Sequence, residues 1–232
     1  MLQLDRLTLT QGSFHLTADW SAAAGERVAI MGPSGSGKST LLAGIAGFLA
    51  ATGGAVRWKG QDLGALAPGD RPVTILFQDQ NLFPHLTLAQ NLGLGVRPDL
   101  RLSGPEWTSV SAALVRVGLP GLGDRRPAQL SGGQASRAAL ARALLRARPM
   151  LLLDEPFAAL GPALRQDMLV LVRQVADETG ALVLLVTHDP DDALALDGKT
   201  AFVTEGIVQP PVPTGQLFAD PPRALADYLG RK

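Results

Sequence analysis

Residues 27–40 read RVAIMGPSGSGKST and join a short apolar run, a glycine-rich loop and a run of helix formers. Arg27 to Met31 is bounded by Gly25 and Gly32 and reads as a buried strand. Gly32, Pro33, Ser34, Gly35, Ser36, Gly37, Lys38 and Ser39 fit G-x-x-x-x-G-K-S/T without a gap, and a helix over 38–47 follows. The glycines let backbone N–H groups curl around phosphate oxygens, and the helix N-terminus adds partial positive charge. Lys38 is placed to reach the β- and γ-phosphates of ATP, Ser39 to ligate Mg²⁺, and Thr40 closes the loop. An ordinary Gly/Ser turn is the plain alternative; the strand before and the helix after weigh against it.

Outward from this loop, strands are predicted at 2–9 and 14–20 with a turn near Gln11-Gly12, then at 73–77, 150–154, 182–187, 200–204 and 207–209. Helices are predicted at 132–146, 162–178, 190–196 and 222–229, with 87–119 mostly helical. This alternation implies an α/β fold whose parallel sheet is covered on both faces. The stretch from about 81 to 146 breaks it and reads as an inserted helical subdomain within one domain, the core being about 1–80 and 147–232.

Residues 150–155, MLLLDE, form an apolar strand ending in two acids. Ligands gather at the carboxyl ends of parallel strands. Asp154 there suits Mg²⁺, and Glu155 suits polarising a water that attacks the γ-phosphate. Alone, such a strand end is commonly just solvated.

The chain has 232 residues, with 21 Lys+Arg against 21 Asp+Glu, so no overall field draws it to nucleic acid or an anionic membrane. It has no cysteine, which removes disulfides and thiolate metal sites. The N-terminus lacks the basic flank and apolar run of a signal peptide. Its longest apolar runs fall far short of the roughly 20 residues that span a bilayer, so a peripheral role is expected at any membrane.

Leu130, Ser131, Gly132, Gly133 and Gln134 resemble the signature of ATP-binding-cassette (ABC) ATPases, and they stand in that family's order relative to the loop and the acids. The resemblance covers essentially the whole chain. It implies a P-loop NTPase (RecA-like) parallel-sheet core, an antiparallel β subdomain and an inserted α-helical subdomain. It also implies that Ser131 to Gln134 bind the γ-phosphate held by a second copy, so that the sites are completed in a head-to-tail homodimer. Gln78 matches the glutamine that senses Mg²⁺ and the attacking water, and His188 the switch histidine that contacts the γ-phosphate. Leu82 to Leu92 resembles the segment that receives a transporter's coupling helix, although a buried helix with its loop explains it equally well.

The pattern further resembles bacterial importers that use two transmembrane permease subunits and a periplasmic solute-binding protein. The runs 32–48, 77–95 and 154–169 look most like the ATPase subunits of thiamine importers, with thiamine phosphates as additional solutes. A place at the cytoplasmic face of the inner membrane, and no nucleic-acid partner, follow from that resemblance. Iron(III), a polyamine or another small solute is the alternative. Reading the chain as a non-transport ABC ATPase is disfavoured by the short span from Gln78 to Ser131 and by the single cassette. A small-molecule P-loop kinase needs no LSGGQ; a non-hydrolysing regulatory module does not need Lys38, Glu155 and His188 together.

Two departures from the family stand out. The family's Pro-Phe-Ser-Ala-Leu-Asp is here Pro156, Phe157, Ala158, Ala159, Leu160, Gly161, which predicts looser coupling between paired sites. The adenine-stacking aromatic near residues 10–12 is absent, Phe14 being the nearest. Elsewhere, Trp20, Trp58 and Trp107 read as packing residues, and His15 and His85 lack partners at zinc-ligand spacing. Arg137, Arg142, Arg146 and Arg148 read as a solvated basic face, and Asp189 to Asp192 as a helix start.

Overall fold

The computed structural model describes residues 1–79 and 81–230. The first half of the chain forms β1 (Leu2–Gln11), β2 (Phe14–Ala22), β3 (Arg27–Met31), α1 (Lys38–Ala46), β4 (Gly53–Trp58), β5 (Gln61–Asp62), β6 (Val73–Leu76), α2 (Leu88–Val96) and α3 (Gly104–Arg116). After a 3-10 turn at Pro127–Gln129 come α4 (Gly132–Leu145), β7 (Met150–Asp154), α5 (Pro162–Thr179), β8 (Leu182–Val186), α6 (Pro190–Ala195), β9 (Lys199–Thr204), β10 (Ile207–Val208), β11 (Val212–Pro213), α7 (Thr214–Ala219) and α8 (Arg223–Tyr228).

The strands lie in the order β5-β4-β1-β2-β10-β9-β3-β8-β7-β6, with β11 beside β9. The half around β1, β2 and β4 is antiparallel, and the half formed by β9, β3, β8, β7 and β6 is parallel. β10 joins them, parallel to β2 and antiparallel to β9. This is the mixed P-loop sheet expected from sequence.

Two cores flank it, and the side-chain period of two sends alternate residues to each. Val28 and Ile30, Met150 and Leu152, and Leu184 and Val186 pack with β1, β2 and α1. Their neighbours Ala29 and Met31, Leu151 and Leu153, and Val183 and Leu185 pack with the helices between β6 and β7 and with α5. That is why these strands are apolar at nearly every position. Trp20 and Trp58 are buried in the first core, and Trp107 packs at the edge of the second.

β4, β5, β11 and α7 have no counterpart in the sequence reading. Gly53 and Gly54 open β4, and the sheet requires the glycine at 54. β1 is irregular between Asp5 and Thr8, and at Gly54 (φ 68°) a Cβ would lie 2.2 Å from the Arg6 carbonyl oxygen. Only glycine fits beside such a bulge.

Because β3, β8, β7 and β6 are parallel neighbours, their carboxyl ends share one edge. The loop from Gly32, His188, the Asp154-Glu155 pair and Gln78 all emerge there.

Candidate functional site

The loop after β3 is shaped by its own polar groups. Ser36 N donates to Pro33 O at 3.2 Å, and a Cβ at Gly37 (φ 100°) would lie 2.6 Å from Phe14 Cζ. Lys38 is 7% exposed, and its Nζ donates to Gly32 O at 2.9 Å and Pro33 O at 2.8 Å. Burial pulls its pKa below the ordinary lysine range, while the charges of Glu155 and Asp154 oppose that pull. Helix α1 is held at its far end by buried Arg71, whose Nη1 donates to Gly44 O at 3.0 Å and Ile45 O at 2.8 Å. A cation on the last carbonyls of a helix satisfies acceptors that no intrahelical bond reaches and complements the dipole.

At the end of β7, Asp154 is 5% exposed, and its Oδ1 is buried with no hydrogen-bond partner. Burial raises its pKa above the ordinary carboxylate range; a hydrogen bond from Ser39 opposes this, and the Glu155 charge adds to it. Glu155 turns sharply, with φ at 46° in the left-handed region, and its N–H donates to Val186 O at 3.1 Å. A non-glycine residue there carries strain of about 1 kcal/mol. The turn sets Glu155 Oε2 3.3 Å from His188 Nδ1.

Gly32, Ser34, Gly35, Gly37 and Lys38 to Thr40 line an open cleft of about 700 Å³ together with Gln78, Glu155 and His188. Pro33 and Ser36 shape the loop behind it. Gln11, Phe14 and Tyr228 complete the wall; of these the sequence reading had singled out only Phe14. Asp154 does not line the cleft itself but is hydrogen-bonded to Ser39, which does; the Ser39 hydroxyl, the Asp154 carboxylate and the carbonyl of the Gln78 amide offer oxygen donors. With the partnerless buried Oδ1, this set fits a hard cation such as Mg²⁺.

Ser131 to Gln134 do not line this cleft. They form a reciprocal cap on α4, in which Ser131 Oγ accepts from Gln134 N at 3.3 Å and Gln134 Oε1 from Ser131 N at 2.9 Å. Ser131 and Gly132 are exposed. A Cβ at Gly132 would lie 4.0 Å from Ala159 Cβ, and one at Gly133 3.3 Å from Leu160 Cδ2, so this corner leans on the loop after Glu155.

Other residues hold the site from behind. Arg165 donates from Nε and Nη2 to Asp192 at 2.5 and 2.6 Å and pairs with Asp189 at 3.0 Å. Asp192, 2% exposed, also accepts from Thr187 Oγ1 at 2.6 Å. Asp189 does start a helix, accepting from Asp191 N at 2.9 Å, but Asp192 is a buried ion-pair partner. The basic face predicted on α4 is likewise corrected. Arg137 donates to Val117 O and Gly118 O, and Arg142 to Asn81 O, beneath the Phe83 ring; only Arg146 and Arg148 are exposed. In segment 82–92, Leu88, Asn91 and Leu92 are buried, whereas Phe83 is exposed beside a groove between β6 and α4. Asn91 accepts from Phe83 N and donates to the Phe83, Leu86 and Thr87 carbonyls, pinning that loop.

A phosphate-type loop, two acids and a histidine on one sheet edge, with a self-capped glycine signature outside the cleft, define a cassette ATPase. The ABC transporter family matches residues 17–158, and the chain belongs to it. Family membership carries nucleotide binding with it. The chain is 63% identical over 230 residues to the thiamine import ATP-binding protein ThiQ of Cereibacter sphaeroides, covering 99% of this chain and 100% of that protein. It is 50% identical to ThiQ of Yersinia pestis over 232 residues, covering 100% of this chain and 98% of that one. Among solved structures, the dimeric bacterial ABC transporter cassette MJ0796 superposes with a TM-score of 0.83 at 31% identity, over 92% of this chain and 99% of that one. Its dimeric post-hydrolysis state bound to ADP and Pi gives a TM-score of 0.82 at 30% identity, with the same coverage.

Proposed function

We propose that this chain is the ATP-hydrolysing subunit of a bacterial thiamine importer. The observation that carries the solute is the full-length identity to thiamine import subunits; the nucleotide cleft bears on ATP alone. In this reading two copies close head to tail around two ATP molecules at the cytoplasmic face of the inner membrane. Two permease subunits supply the passage, and a periplasmic binding protein delivers thiamine and its phosphates. The exposed, self-capped Ser131–Gln134 corner, outside its own cleft, supports completion of each site by the second copy. The groove beside Phe83 is the surface offered to a permease.

The geometry supports the following roles. Backbone N–H groups of residues 35–40 bind the phosphates, and Lys38 exchanges the Gly32 and Pro33 carbonyls for phosphate oxygens. Ser39, Asp154 and Gln78 would hold Mg²⁺. Held there, the ion would supply positive charge to offset that of the phosphates. Glu155 orients and polarises the attacking water. His188, beside Glu155, donates to a γ-phosphate oxygen. Phe14 is the aromatic surface nearest the loop for the base. ADP and phosphate leave without a covalent intermediate.

Uptake of labelled thiamine in cells lacking the gene, restored with wild type or Glu155→Gln, tests the whole reading. Rescue by wild type alone is expected. An unimpaired deletion strain contradicts the solute and leaves the ATPase reading standing; rescue by both versions contradicts the role of Glu155.

A further inference from the structure

The turn after β8 is tied to itself, to the sheet and, through Asp189 and Asp192, to Arg165 of α5. Thr187 N donates to Ile30 O at 3.2 Å, Asp189 N to Thr187 Oγ1 at 3.1 Å, and Asp191 N to Asp189 Oδ1 at 2.9 Å. The His188 carbonyl is held from elsewhere. Tyr228 Oη, at the end of α8, donates to His188 O at 3.1 Å.

Tyr228 is anchored for this contact. Leu225, one turn earlier, is fully buried, and Leu229 packs against the same core. The Tyr228 ring lies 5.9 Å from that of Phe202 on β9, tilted by 55°. It lines the nucleotide cleft beside Glu155 and His188. Burial, then the charges of Glu155 and Asp189, push the phenol pKa up, so it keeps its proton at neutral pH and acts as donor. The His188 side chain is 57% exposed, with Nδ1 near Glu155. A side chain that little packed takes its direction from its own backbone.

We propose that Tyr228 is a positioning residue for His188: its hydroxyl fixes the peptide plane that follows the histidine, and so aims the imidazole at Glu155 and the nucleotide. This makes α8 part of the nucleotide site, and it rests on the reading of His188 as a γ-phosphate contact. Tyr228→Phe removes the hydroxyl and keeps the ring against Phe202. In the purified full-length chain, kcat for ATP hydrolysis should fall about three- to tenfold, as loss of one modest hydrogen bond does. KM for ATP should stay within about twofold, and the unfolding midpoint within about 2 °C.

A second readout is spectroscopic. The chain has three histidines, and the ring resonances of His188 should move in Tyr228→Phe while those of His15 and His85 stay. An unmoved His188 signal overturns the proposal whatever the rate does. A moved signal with unchanged kcat overturns it too, since the aim of the ring then has no consequence. If His188→Ala hydrolyses ATP at the wild-type rate, the catalytic reading of His188 fails by itself, and the resonance comparison still decides whether Tyr228 holds the turn.

Discussion

The phosphate-loop end and the signature end of this molecule are finished to different degrees. At the first, Lys38 is buried against backbone carbonyls, Asp154 Oδ1 has no partner and Glu155 sits at positive φ. The unpartnered carboxylate oxygen and the non-glycine residue in the left-handed region each cost the fold free energy. At the second, Ser131 and Gln134 satisfy one another, and Ser131 and Gly132 face solvent. Nothing there is strained, and nothing in its own cleft uses it. On the proposed reading one chain carries a receiving half and a donating half, and the unmet buried carboxylate oxygen of Asp154 lies in the receiving half.

Asp192→Ala should have the largest effect on stability, because it removes the buried partner of Arg165, leaving that arginine only Asp189, and frees Thr187 behind the receiving half. Breaking a buried ion pair from one side costs about 3 kcal/mol, read as a lower denaturant midpoint with the slope unchanged. A loss below 1 kcal/mol would mean that the receiving half is not braced from this side.

Asp154→Asn should act in the opposite direction. The folded pKa of Asp154 is raised, so its ionised form costs stability above that pKa, and the cost disappears as pH falls through it toward the ordinary carboxylate range. The variant without ligand should therefore be more stable than wild type at neutral pH, with the gain shrinking in acid. The same variant should lose the extra thermal stability that ATP with Mg²⁺ confers on wild type. A variant that is less stable at neutral pH would show that the receiving half carries no such penalty.

Gly161→Asp is the smallest. Gly161 is the N-cap of α5 with φ −70°, has no side-chain cap, and leaves open space around a Cβ. An aspartate there should add a few tenths of a kcal/mol. If it also leaves ATPase rate and cooperativity unchanged, the looser coupling expected from Ala158 and Gly161 is wrong.

The sequence made legible what local pattern determines. The short apolar runs of β3, β7 and β8, interrupted only by the terminal Arg27 and Asp154, mark strands covered on both faces, and Ser131 with its two glycines marks the start of α4. Asp154 and Glu155 are placed by the carboxyl end of their strand and Lys38 by the glycine-rich loop, whereas Gln78 and His188 come from the family resemblance. What stayed hidden depends on distant partners. Gly53-Gly54 makes sense only beside the bulge at Arg6, and Pro213 pairs with Lys199 at β9 where the sequence suggests only a bend. Arg71, Arg142 and Arg165 find acceptors 26, 61 and 27 residues away, and no local spacing tells such an arginine from a solvated one. Tyr228 reaches His188 in the same way.

The two halves meet most directly in a mixing experiment. Lys38→Ala disables the receiving half. Gly132→Asp puts a negative charge on the donating half while leaving the Ser131–Gln134 cap intact. Each purified chain alone should hydrolyse almost no ATP. An equal mixture forms heterodimers with one site built from two intact halves, and it should recover roughly a quarter of the wild-type rate, set by how often unlike chains pair. A mixture as inactive as its parents would contradict the head-to-tail site.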